Sequence, residues 1–274
     1  MKVLIYQVYV PTDGKGCPKD LPNPDIVKDS VRSFTEYSKK YEIDYLFENK
    51  ATFTPDQLPS DYDGRMRFYW AMALCREDLM DYDYIIHVDS DIIAQPHAKN
   101  IREVIKGDFM ACRELMDYQG QWYNPLVMLR RAWAYQETAS TLNFNLFQYF
   151  NSGVWVSSKK ARRLIRDNWQ ANAFKKWSSP VPESFPFKVD NPYGGDQDIL
   201  NEIVHNSDCE FHPLSWNWNA FSGGLHSVKK ADFIHFCARP GKVLWHHQEL
   251  LGQGQIEMPQ IKELEKQLNQ KSHG

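Results

Sequence analysis

The chain has too few cysteines, too widely scattered, for a disulfide framework or a thiolate zinc site. Cys17, Cys75, Cys112, Cys209 and Cys237 are odd in number and include no Cys-x-x-Cys pair. A reducing compartment, and so a cytoplasmic location, is the expectation. Long apolar runs are missing as well. The opening Met1-Lys2-Val3-Leu4-Ile5-Tyr6 is far too short for a signal peptide or a membrane span, and no later run approaches about twenty apolar residues. The sequence reads as soluble, with no integral membrane segment. Neither sign of charge is in large excess: 32 Lys and Arg face 35 Asp and Glu, a net charge of −3, so no global basic field recruits nucleic acid or anionic lipid. A polyanionic ligand has to be bound locally, where a metal ion would help. Glycine-rich phosphate loops are absent too, because Thr12-Asp13-Gly14-Lys15-Gly16-Cys17-Pro18 fits neither the Walker pattern nor Gly-x-Gly-x-x-Gly. No internal repeat is visible.

Aromatic side chains are plentiful. Nine Trp and fourteen Tyr are present, many in polar surroundings such as Gln121-Trp122-Tyr123-Asn124 and Ser215-Trp216-Asn217-Trp218-Asn219. Such rings either stack on sugar faces or fill a core with their polar end satisfied. Trp216 and Trp218 share one face if their segment is extended, which makes them candidates for the acceptor or donor-sugar side of a cleft.

A length of 274 residues allows one large α/β domain or two modest ones. Apolar patterning predicts strands at 3–10, 43–47, 82–93, 109–112 and 154–156, with helices at 24–41, 65–80, 101–105, 159–169 and 199–205. This alternation argues a mainly parallel sheet flanked by helices. The aromatic and polar residues 114–147 suit a lid or an acceptor-facing insertion. Ile261, Leu264 and Leu268 share a helical face, so residues 255–274 are expected to dock on the body as a tail.

The most informative local feature is Asp89-Ser90-Asp91, which closes the strand-like run Tyr84-Ile85-Ile86-His87-Val88. Open α/β sheets bind ligands at the C-terminal ends of their strands. Two carboxylates spaced i and i+2 at such an end can converge on one divalent ion, and a metal held there usually carries a phosphate. An Asp-rich turn after a buried strand is the plainer alternative.

Three further segments stand beside this turn: Phe150-Asn151-Ser152-Gly153-Val154; Gly195-Asp196-Gln197-Asp198-Ile199-Leu200-Asn201; and Phe233-Ile234-His235-Phe236, followed by Lys242 and Trp245. In this order the four pieces resemble the GT-A fold glycosyltransferases, most closely glycosyltransferase family 8, the group that includes glycogenin and the lipopolysaccharide galactosyl- and glucosyltransferases. The resemblance spans about residues 1–245. The chain departs from the family pattern where Ala238 replaces a Gly and where Lys242-Val243-Leu244-Trp245 has no Pro.

The resemblance implies a GT-A type fold, a Rossmann-like mainly parallel sheet in a single domain. Residues 1–95 would form its nucleotide-binding half and residues 96–250 its sugar and acceptor half. It implies that Asp89, Asp91 and His235 hold Mn²⁺ or Mg²⁺, with Lys242 on the diphosphate of a UDP-sugar and Ser90 in the donor site. Asn151 and Asp196 would bind donor-sugar hydroxyls, and Gln197 would sit near the anomeric carbon. Arg65 and Arg67 are the candidates for a basic residue reaching the nucleotide. His235 between Ile234 and Phe236 also fits a satisfied core histidine, and Asp196 and Asp198 also fit helix N-caps.

The expected reaction is transfer of a hexose or pentose to a hydroxyl acceptor on a glycan, lipid or protein. Breaking the sugar–diphosphate bond develops negative charge that a divalent ion and a Lys can offset. Retention of configuration follows from the resemblance alone. An inverting enzyme would need a carboxylate base, for which Asp198, Glu114 and Asp117 are the candidates. Two other readings remain: a metal-dependent nucleotidyltransferase or phosphoesterase, and a non-catalytic carbohydrate-binding protein.

Overall fold

The computed structural model describes residues 1–9, 24–49, 76–113, 148–177, 196–222, 228–237 and 244–246, together with Glu263, Leu264 and Gln267. The expectations for residues 65–75, for the insertion 114–147 and for nearly all of the tail lie outside the described residues. Strand β1 (Val3–Val8) is flanked in parallel by β2 (Asp44–Glu48) and β3 (Tyr84–Val88). Helix α1 (Pro24–Tyr41) connects the first two. Its start carries Pro24, whose fixed φ suits a first helical turn, and Asp25; its end carries Lys39 and Lys40, which complement the helix dipole.

The main sheet continues from β3 to β6 (Phe150–Ser158), β5 (Phe109–Arg113) and β7 (Phe211–Leu214), giving the order β2-β1-β3-β6-β5-β7. Only β6 runs against the others, antiparallel to both β3 and β5. The expected mixed, mostly parallel α/β sheet is therefore observed. Alternate strand residues face opposite layers, as the two-residue period requires. Leu4, Tyr6 and Ile85 pack with Trp155 beneath α2 (Lys159–Trp177) and α3 (Asp196–His205), whose Ala161, Ile165, Leu200 and Ile203 close that core. Val3, Ile5 and Ile86 face the other way, toward Phe34 and Tyr37 of α1. No helix of the described residues is long and apolar enough to cross a membrane.

Several boundaries differ from the sequence reading. The strand expected at 82–93 is two strands, because the chain turns out of the main sheet at Asp89, where the Ile92 N–H donates to the Asp89 carbonyl at 3.3 Å. Strand β4 (Ile92–Ala94) then joins a second sheet with β9 (Phe233–His235) and β8 (Ala220–Phe221), in the order β4-β9-β8. Residues Ile101–Val104 form a 3₁₀ turn, not an α-helix, and the Asn100 side chain accepts from the Arg102 N–H at its start. The strand expected at 154–156 is the middle of the nine-residue, wholly buried β6. Polar Asn151, Ser152, Ser157 and Ser158 hide its full length from a hydrophobicity reading.

Asp108, beside the start of β5, ties three elements together. Burial raises its carboxyl pKa, but hydrogen bonds from the Glu210 N–H (3.1 Å), Lys160 Nζ (3.0 Å) and Ser158 Oγ (3.1 Å) outweigh that and leave it below the usual carboxylate value. A depressed native pKa contributes stability that is present above the unfolded value of about 3.9 and lost as pH falls through the lower native value. Asp108→Asn should therefore be less stable than the parent near neutrality. The gap should narrow as the medium is acidified below about pH 4, as read from urea midpoints against pH. A constant gap would remove the carboxylate from this account.

Candidate metal centre

Buried polar side chains hold the Asp89-Ser90-Asp91 turn in place. Gln7 of β1 donates from Nε2 to the Asp89 carbonyl at 3.0 Å and to Ser30 Oγ at 2.7 Å, and Tyr45 Oη donates to Gln7 Oε1 at 2.7 Å. Ser30 Oγ in turn donates to the Ile92 carbonyl. On the other side, the Asp89 N–H donates to the Gly153 carbonyl at 2.8 Å. Both ends of the turn are thus fixed to β1, α1 and β6 before any ligand arrives. Ser90 is buried within it.

The second sheet explains how a residue more than a hundred positions away reaches the turn. Strand β9 pairs antiparallel with β4, placing His235 opposite Ile92, and the Phe236 N–H donates to the Asp91 carbonyl at 2.9 Å. His235 Nε2 lies 3.2 Å from Asp91 Oδ1 and 3.8 Å from Asp89 Oδ2. One ligand atom from each of the three residues lies within 4.8 Å of the others. Donors on opposite sides of one ion are separated by twice a bond of about 2.0–2.6 Å, so this spacing fits a single divalent cation. Side-chain exposure is 34% for Asp89, 14% for Asp91 and 5% for His235, so the opening lies on the carboxylate side. Two carboxylates and an imidazole could hold a divalent cation, and they differ from the thiolate-rich ligand sets of structural zinc.

Behind His235 runs a chain of buried amides. His235 Nδ1 is 2.9 Å from Asn219 Oδ1, and Asn219 Nδ2 donates to Asn151 Oδ1 at 2.7 Å. Asn151 Nδ2 donates to Gln197 Oε1 at 3.1 Å, and Gln197 Nε2 donates to Tyr149 Oη at 2.8 Å. Asn201, one turn after Gln197 on α3, meets the backbone of Phe150 as a strand would, accepting from its N–H and donating to its carbonyl at 2.9 Å each. That pair of bonds docks α3 on the end of β6 and brings Gln197 to Asn151. Gly153 leaves room for the histidine ring: a Cβ there would lie 2.6 Å from His235 Cε1.

The structure thus brings Asp89, Asp91, His235, Asn151 and Gln197 into one connected site. Asp196 and Asp198 lie at the start of α3, with side chains outside the described residues, and Lys242, Arg65, Arg67, Glu114 and Asp117 also lie outside them. Trp216 and Trp218 are not an extended pair. They occupy a 3₁₀ turn, where Trp216 is half-buried and Trp218 packs edge-on against Phe233 at 5.2 Å in the core. Sequence reasoning missed Asn219 and His87. His87 Nε2 is 3.1 Å from Asp89 Oδ1, and its position two residues before Asp89 on β3 was the available signal. For Asn219 the aromatic neighbours masked the signal.

No protein-family model matches the chain, and no curated protein matches it in sequence. Solved structures do match in shape. A glycosyltransferase involved in the glycosylation of the major capsid of PBCV-1 aligns with a TM-score of 0.56 at 14% identity, covering 91% of this chain and all of that one. The apo structure of the bifunctional glycosyltransferase WbbM aligns with a TM-score of 0.51 at 12% identity, over 86% of this chain and 46% of that protein. At such identities the likeness establishes the fold, which is of the GT-A type.

Proposed function

We propose that the chain is a metal-dependent glycosyltransferase that moves a hexose or pentose from a UDP-sugar to a hydroxyl acceptor. The observation that carries this reading is the meeting of Asp89, Asp91 and His235 at the C-terminal end of β3, in a fold shared with proteins described as glycosyltransferases. Asp89, Asp91 and His235 would hold the ion, which when bound supplies positive charge against the leaving diphosphate. Asn151 and Gln197, held in the amide chain by backbone and side-chain hydrogen bonds, would keep their expected roles at the donor sugar. In this reading residues 1–95 serve the nucleotide, residues 96–250 the sugar and acceptor, and Trp216 contributes an apolar surface to the acceptor side. Asp196, Ser90, Lys242, Arg65 and Arg67 keep their expected donor-side roles.

The family resemblance favours retention of configuration, and Gln197 suits it because an amide orients and polarises but does not accept a proton at neutral pH. The test is a hydrolysis and transfer screen of UDP-, GDP- and CDP-sugars with Mn²⁺, Mg²⁺ or EDTA. Sugar release from UDP donors alone, abolished by EDTA and giving an α-configured first product from an α-linked donor, is the expected result. Release unaffected by EDTA would overturn the metal dependence. A β-configured product would shift the mechanism to inversion, with Asp198, Glu114 and Asp117 as the bases to examine.

A further inference from the structure

We infer that Asn219 is a positioning residue that fixes the His235 imidazole with its hydrogen on Nδ1, so that Nε2 is the atom offered to a cation, and that two backbone N–H groups of β6 dictate this choice. A backbone N–H can only donate. The Gly153 N–H lies 2.8 Å from Asn151 Oδ1, which fixes that end of the amide as its oxygen. Asn219 approaches the same oxygen at 2.7 Å and has to bring a donor, its Nδ2. Its Oδ1 is then the atom 2.9 Å from His235 Nδ1. An amide oxygen only accepts, so Nδ1 carries the hydrogen.

A second anchor agrees with the first. The Ser152 N–H lies 3.1 Å from the Gln197 amide, which makes that end Oε1 and gives Asn151 Nδ2 its acceptor at 3.1 Å. Gln197 Nε2 is left to donate to Tyr149 Oη. Flipping any one amide would set two donors or two acceptors against each other at buried positions, where an unmet polar group is costly. Asn219 is itself held by the 3₁₀ turn, its N–H donating to the Trp216 carbonyl at 3.0 Å, and it is fully buried.

The consequence lies at Nε2. With no acceptor at Nδ1, a neutral ring would place its hydrogen on Nε2 and donate to Asp91, 3.2 Å away, blocking the position a cation needs. With the hydrogen held on Nδ1, a lone pair faces two carboxylates, an arrangement that favours a positive ion between them. Outer partners that orient a metal-bound histidine in this way commonly change metal affinity by about 10–100-fold when removed. This consequence rests on the metal-centre reading; the hydrogen's place on the ring does not.

The experiment uses the 274-residue chain, ion-free and labelled with ¹⁵N-histidine, at a pH where the spectra themselves show a neutral His235 ring. Long-range ¹H–¹⁵N correlations should show a hydrogen on His235 Nδ1, and a bare Nδ1 would overturn the inference. Asn219→Ala should lose that signature and weaken Mn²⁺ binding in a direct titration by about tenfold or more. Asn219→Asp keeps an acceptor facing Nδ1 but sets its other oxygen against Asn151 Oδ1, so it should be less stable than the parent yet retain the Nδ1 hydrogen and more of the Mn²⁺ affinity than Asn219→Ala; a purely structural role would make affinity follow stability in both variants. Unchanged Mn²⁺ affinity in Asn219→Ala would also overturn the inference. Should the parent protein bind no Mn²⁺ at all, the metal-centre reading fails while the nitrogen assignment is still decided by the ion-free spectra.

Discussion

Asp91→Asn should remain folded yet lose the coupling between Mn²⁺ and UDP. The Asp91 side chain faces His235 Nε2 at 3.2 Å, whereas the hydrogen bond that ties this residue into the second sheet comes from its main chain, whose carbonyl accepts the Phe236 N–H. An amide of the same size keeps that backbone pairing and the β4–β9 register, so little packing is lost. What disappears is one of two negative charges facing His235 Nε2. In the parent protein, UDP at about a hundred times its dissociation constant with Mn²⁺ present should add roughly 2.7 kcal/mol of stability. That corresponds to a rise in Tm of about 5–10 °C for a chain of this size. With EDTA, or in Asp91→Asn, the rise should vanish, and turnover of a UDP-sugar should fall by at least about a hundredfold. Equal shifts with Mn²⁺ and with EDTA would end the metal-centre reading. A variant that does not fold would make Asp91 a structural turn residue.

The parts of this site that could be read in the sequence are those whose chemistry is local. Asp89-Ser90-Asp91 announced itself because two carboxylates follow a run of buried strand residues, and the apolar run from Val3 and the helical spacing of Ile26, Val27, Phe34 and Tyr37 located β1 and α1 closely. The small second sheet was not legible. Its strands are two or three residues long, below the length at which a two-residue period can be seen, and they exist because the chain turns at Asp89 to let β4 meet β9. His235 was singled out by family resemblance, since nothing local separates it from a core histidine. Its register opposite Ile92 supplies the physical reason for its place. Asn219 stayed hidden because its role depends on contacts with Asn151 and His235, 68 and 16 residues away. Trp216 and Trp218 drew attention as sugar platforms, yet the 3₁₀ turn they form serves to bury one ring against Phe233 and to aim Asn219 into the site.

Gly153→Ala should damage both the fold and the candidate metal centre, and the two effects should travel together. A Cβ at this position would lie 2.6 Å from His235 Cε1, 2.7 Å from His235 Nδ1 and 2.9 Å from Asn151 Oδ1. Real Cβ atoms do not approach so closely, so something has to move. Neither neighbour is a loose side-chain end: the ring is held by the β4–β9 pairing and by Asn219, and Asn151 Oδ1 is held by the Gly153 N–H itself and by Asn219 Nδ2. The Gly153 carbonyl also receives the Asp89 N–H, so a retreat of β6 would pull on the carboxylate turn. Overpacking of this kind costs about 1–3 kcal/mol, against only about 0.4–1 kcal/mol that alanine returns by restricting the unfolded chain. Displacing the ring should in addition lower Mn²⁺ affinity by at least about tenfold. Gly107→Ala is the control, because Gly107 has a positive φ of 64°, its Cβ would strike His212, and its carbonyl accepts from Tyr84 Oη at the opposite end of β3 from the carboxylate turn. It should lose comparable stability and keep the parent's Mn²⁺ titration. If Gly153→Ala also kept that titration, the ring would be free to find its position without the glycine, and the close fit of β6 to His235 would be packing alone.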